Sequence, residues 1–101
     1  MLPPRLERLA AAGIRLLPVT DITTHFVLER DGFAALVERT PDGFGSAGAA
    51  GLLTEDGLAL LVWRTGRAFF VRKGTEREAT PAQVDALRAF ASDLEKALRS
   101  G

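Results

Sequence analysis

Thr23-Thr24-His25-Phe26-Val27-Leu28-Glu29-Arg30-Asp31-Gly32-Phe33-Ala34-Ala35-Leu36-Val37-Glu38-Arg39 is the stretch on which the reading of the fold turns. Asp31-Gly32 stands between two runs rich in aliphatic and aromatic residues, and that is the strongest short-range signal for a β-hairpin. With a two-residue turn, Phe26 and Leu28 share a face with Val37 and Ala35, while His25, Val27 and Glu29 share the other with Glu38, Leu36 and Ala34. A bulged turn would shift this register by one.

Downstream, Pro41-Asp42-Gly43 reads as a turn and is followed by a Gly/Ala-rich stretch. Then come Leu52-Leu53-Thr54, the turn signal Asp56-Gly57, a strong run from Leu58 to Arg64, Thr65-Gly66, and a third run from Arg67 to Lys73, together a three-stranded meander. Its central strand carries Leu58, Leu60 and Val62 on one face and Ala59, Leu61 and Trp63 on the other, so both faces need cover. Thr80-Pro81-Ala82-Gln83 combines an N-cap threonine, proline at the first helical position and glutamine at the third, a capping box. From there Val84, Leu87, Ala91, Leu94 and Leu98 recur at spacings of three and four, with Phe90 beside them, and Asp85, Arg88, Ser92, Glu95 and Arg99 lie opposite.

Upstream of the hairpin, Pro3-Pro4 opens a short helix with Leu6, Leu9 and Ala10 on one face and Gly13 in the left-handed position past its end. Ile14 to Leu17 is a short extended run stopped by Pro18, an edge or crossing segment. The expectation is a single α+β domain over residues 1–101. It has an antiparallel sheet of five strands, or six if the run at 14–17 joins, made of one hairpin plus the meander, with a short N-terminal helix and a long C-terminal amphipathic helix.

Composition narrows the function classes. Thirteen basic and thirteen acidic side chains cancel, so no whole-molecule field draws the chain to nucleic acid or to an anionic membrane. Cysteine is absent, which excludes disulfides, thiol chemistry and thiolate metal sites. The start lacks the basic and long apolar regions of a signal peptide, and no apolar run approaches a membrane span; the reading is a cytoplasmic protein with no membrane partner. Eleven of the thirteen basic residues are arginine, a bias that fits a GC-rich bacterial genome rather than any particular chemistry.

Gly43-Phe44-Gly45-Ser46-Ala47-Gly48 matches the string G-x-G-x-x-G after a predicted strand. A dinucleotide site also needs a helix starting in that loop, and this segment instead runs to Asp56-Gly57 as strand, so the crossover does not fit. The plain reading is a flexible or tightly turning connection. His25, the only histidine, lies beside Glu38 in the hairpin register, with Asp21, Thr23 and Thr24 close in sequence. A histidine-carboxylate pair can orient a general base, but no nucleophile or oxyanion donors complete a catalytic set, and no second histidine or cysteine could complete a metal site. Gly43, Gly45, Gly48, His25 and Glu38 are therefore the candidate small-ligand or phosphate site, with cross-strand pairing on a solvated face as the plainer account. Arg64, Arg67, Arg72, Lys73 and Arg77, interleaved with Phe69 and Phe70, resemble a nucleic-acid-binding strand, yet alternation sends Phe69 and Phe70, and Arg72 and Lys73, to opposite faces, which argues against nucleic acid.

The feature with most weight is the double apolar face of the meander. Leu58, Leu60, Val62, Phe69 and Val71 line one surface, and Leu52, Leu61, Trp63 and Phe70 the other, while one C-terminal helix can cover only one of them. The other is left for the N-terminal helix, for the hairpin folding across it, or for another chain. The expectation is a non-enzymatic interaction or self-assembly domain without a cofactor, as a homo-oligomer or bound to a protein partner. The order helix, hairpin, meander, helix is similar to that of small secretion-chaperone and roadblock-like domains, but both have a mid-chain helix for which this sequence has no room, so the likeness implies no function.

Overall fold

A computed structural model of the chain describes residues 4–18, 23–41, 43–55 and 57–99; Pro3, Asp21, Asp42 and Asp56, which entered the expectations above, lie outside them. Helix α1 (Pro4–Ala11) is followed by strands β1 (Arg15–Leu17), β2 (His25–Arg30), β3 (Phe33–Thr40), β4 (Gly43–Thr54), β5 (Gly57–Arg64), β6 (Arg67–Arg72) and β7 (Thr75–Glu78), and then by helix α2 (Pro81–Leu98). All seven strands form one antiparallel sheet in which each pairs with its neighbours in sequence, in the order β1-β2-β3-β4-β5-β6-β7.

The strand count of five or six is thus corrected to seven among the described residues. The run at 14–17 does join, as β1 on the edge beside β2. The strand that was missed is β7, whose residues Thr-Glu-Arg-Glu are all exposed and carry no apolar alternation. It exists because Lys73 and Gly74, with φ of +44° and +81°, make a two-residue turn of the same hand as Asp31-Gly32 (+54°, +89°) and Thr65-Gly66 (+51°, +78°). Paired left-handed residues of this kind match the twist of the flanking strands, so Lys73 ends its strand instead of extending it.

The Gly/Ala-rich stretch is a second correction: it is not a connection but the first part of β4, a twelve-residue strand. Its pairing with β3 shifts register twice, between Ala35 and Val37 and between Val37 and Arg39. Such bulges increase local twist and bend the strand, and small side chains accommodate them. Through β4 the hairpin and the meander become one continuous sheet, and the hairpin does not fold back across the meander.

The capping box forms as expected: Gln83 N–H donates to Thr80 Oγ1 at 3.1 Å, and Thr80 N–H donates to Gln83 Oε1 at 2.9 Å. The buried stripe of α2 is Val84, Leu87, Phe90, Leu94 and Ala97. Phe90 is therefore central and Ala91 exposed, because a large aromatic gains more by burial than a methyl group. In α1, Leu9 is buried and Ala10 exposed. Arg8 of α1 donates through Nε to the carbonyl of Ala97 at 3.0 Å and through Nη2 to that of Arg99 at 2.6 Å, satisfying carbonyls that the end of α2 leaves without helical partners.

Both helices lie on the same face of the sheet. The core joins Leu9 and Ile14 to Leu28, Ala35, Val37, Ala59, Phe70 and the inner stripe of α2, and these strand residues are cross-strand partners or share alternation with them. No helix among the described residues is long and apolar enough to cross a membrane.

Candidate interaction face

Alternation along each strand decides what the second face of the sheet displays. Leu60 is opposite Val71 and Val62 opposite Phe69, so Leu58, Leu60, Val62, Phe69 and Val71 share one surface, as their spacing implies. With the hairpin in the register predicted, His25 opposite Glu38 and Val27 opposite Leu36, that surface continues across the sheet. Ala34, Gly51 and Leu60 stand in one row, and Leu17 pairs with Val27. Leu36 and Leu53 belong to this face too and were missed in the sequence, because the reading of residues 43–51 as a connection cut the sheet in two.

Among the described residues no helix covers this face. Val27 and Ala34 are buried, but Leu58, Val62, Phe69 and Val71 are only half-buried, and Leu60 is 42% exposed. Ion pairs stand around the apolar centre: Arg15 Nε with Glu29 Oε1 at 2.8 Å, Arg64 Nη1 with Glu76 Oε1 at 2.6 Å, and Arg67 Nε with Glu78 Oε2 at 2.7 Å. Glu29 is itself buried. The hydrogen bond from Arg15 holds its carboxyl below the ordinary value, with help from the Gly32 N–H, while burial opposes both.

The candidate ligand residues also sit on neighbouring strands. His25 and Glu38 are cross-strand partners, and His25 Nδ1 is 2.8 Å from the hydroxyl of Thr24. A Cβ on Gly45 would stand 2.8 Å from Thr40 Cγ2 and 3.1 Å from Glu38 Cβ, so this glycine makes room for its neighbours on β3. Gly43 pairs with Thr40 at the start of β4, and Gly48 approaches the Leu36 carbonyl in the bulged region. Neither the cleft beside Arg72 nor the one beside Trp63 has any of these five candidate residues in its described lining. The basic segment divides as alternation requires: Arg64 and Arg67 pair with glutamates on the second face, and Arg72 and Arg77 lie on the helix-bearing face.

Trp63, on the helix-bearing face but 53% exposed, carries the Arg88 guanidinium 5.7 Å from its ring centre. Comparison of the chain with protein-family models, with curated proteins and with solved structures finds no match.

Proposed function

We propose that this chain is a non-enzymatic interaction and self-assembly domain that pairs with a second copy through the open face of its sheet, as a homodimer or as one subunit of a larger complex. The observation that carries the reading is Leu60, 42% exposed at the middle of an apolar surface whose described helices are both on the other side. Contiguous apolar surface of this kind on a small protein marks a site of association. An apolar centre with charged pairs around it supports this reading, since protein–protein interfaces have an apolar core and a polar rim.

Two further features favour face-to-face over edge-to-edge association. The edge strand β7 is four exposed residues, three of them charged, and the opposite edge, β1, is three residues long; short and charged edges resist strand addition. Seven strands spaced about 4.8 Å apart and about six residues long present roughly 600 Å² in projection, and a corrugated surface of that span approaches the 800 Å² or so that each partner buries in a standard interface.

Multi-angle light scattering across micromolar concentrations tests this. The expected result is a dimer for the unaltered chain and a monomer with unchanged circular dichroism for Leu60→Glu. A strictly monomeric unaltered chain at about 100 μM would overturn self-assembly.

A further inference from the structure

We propose a second site, independent of the open face: the cleft at the far end of β4–β7 on the helix-bearing side binds a small organic oxyanion, a carboxylate or phosphate carried on an apolar body. The cleft has a volume of about 680 Å³, within the range of small-molecule pockets. Its floor is apolar, from Leu52, Ala59 and Phe70, and its charged lining among the described residues is Arg72, Lys73 and Arg77 against the carboxylate of Glu55. No residue of α2 lines it.

Arg72 is the residue that calls for a ligand. Its Nε is buried and has no hydrogen-bond partner, a costly condition for a charged donor. Among the described residues no carboxylate lies within ion-pairing distance of Arg72, Lys73 or Arg77, whereas Arg15, Arg30, Arg64, Arg67 and Arg99 each have one. Alternation is the cause: Glu76 and Glu78 face the other side of the sheet, where they hold Arg64 and Arg67, so β7 brings only Thr75 and Arg77 to the cleft.

The guanidinium also occupies space that only a glycine at position 57 leaves open. Gly57 has φ of +127°, and a Cβ there would stand 2.6 Å from Arg72 Cζ and 2.7 Å from Nη2. Gly57 is itself held by the Thr54 hydroxyl, which donates to its carbonyl at 2.7 Å. A planar guanidinium packed against this backbone, with a lysine and a second arginine in the same lining, suits bidentate binding of a carboxylate or phosphate. The apolar floor beneath it selects an anion with a hydrocarbon portion over a bare ion.

The test is an amide-NMR titration of the full chain with octanoate, octyl phosphate and inorganic phosphate in parallel. Expected are shifts at Gly57, Arg72 and Arg77, binding of at least one octyl compound about tenfold or more tighter than inorganic phosphate, and a loss of about tenfold or more on Arg72→Met. The two octyl arms decide between carboxylate and phosphate. Arg77→Gln, at an exposed position, serves as the second variant and is expected to weaken binding with an unchanged spectrum elsewhere. Absence of shifts with all three probes at about 10 mM, shifts confined to other surfaces, affinity unaltered in both variants, or inorganic phosphate binding as tightly as both octyl compounds would each overturn the proposal.

Discussion

Arg30 Nη1 lies 2.9 Å from Asp93 Oδ2, and the same nitrogen lies 2.9 Å from the carbonyl oxygen of Ala12. One guanidinium group thereby ties β2 to the middle of α2 and to the end of α1, and it sits 5.7 Å from the centre of the Phe90 ring. The Arg30 side chain is largely buried and Asp93 is not, so the two partners are not equivalent. Arg30→Met, which leaves the Ala12 carbonyl without its donor, is expected to lower the unfolding free energy by about 2 kcal/mol. Asp93→Asn is expected to cost less than about 1 kcal/mol. Urea denaturation followed by circular dichroism measures both, and equal losses would show that the ion pair, not the carbonyl and ring contacts, dominates.

The Arg15–Glu29 pair predicts a pH dependence. Since Glu29 has its pKa lowered in the folded chain from an ordinary 4.5, chiefly by the hydrogen bond from Arg15, its ionised form stabilises the fold. That contribution is fully present above the unfolded value and is lost as pH falls through the folded one. Thermal melts of the unaltered chain and of Glu29→Gln should therefore differ most near neutral pH, and the gap should shrink as pH falls below the ordinary 4.5 and through the lowered value of the folded chain. A gap that stays constant down to pH 3 would contradict the pairing.

At the start of α2, Thr80→Ala removes the acceptor for the Gln83 N–H and is expected to cost about 1 kcal/mol, whereas Thr80→Ser should retain most of the stability. Equilibrium denaturation of the two variants side by side distinguishes loss of the cap from loss of the threonine methyl group.

A substitution in β4 probes why that strand is built of glycine. An alanine Cβ at Gly51 would run into the carbonyl oxygen of Ala59 on β5, while one at Gly48 would meet the Leu36 carbonyl at 3.3 Å. Gly51→Ala is expected to destabilise by about 2–3 kcal/mol and Gly48→Ala by about 1 kcal/mol or less. Amide exchange along β5 should accelerate in the first variant only.

How much of this was legible in the chain depends on the range over which each element is specified. Asp31-Gly32, Thr65-Gly66 and the Thr80 capping box are contained within a few consecutive residues, so turns and cap were readable, and with them the register of the first hairpin. The apolar alternation of Leu58 to Val62 was readable for the same reason. β4 was not, since Gly43 to Gly51 has poor intrinsic strand preference and is held extended by β3 on one side and, toward its end, by β5 on the other, a case of pairing overriding propensity. The charged β7 was hidden likewise; Lys73-Gly74 was its only local sign. The Arg72 cleft was hidden because its cations come together only once β4, β5, β6 and β7 are aligned.

By itself, then, the sequence determined an antiparallel α+β chain with two faces to cover, because turns, caps and period-two alternation are local properties. Which face the helices take was decided by tertiary structure. Ala79, two residues before α2, is buried, and its N–H bonds to the carbonyl of Ala68. That aims the helix at the side of Phe70 and leaves the side of Leu60 open. Alternation makes both faces apolar at their centres, and the exit of the chain from its last strand, together with the docking of α1 on α2 through Arg8, settles which of them is covered.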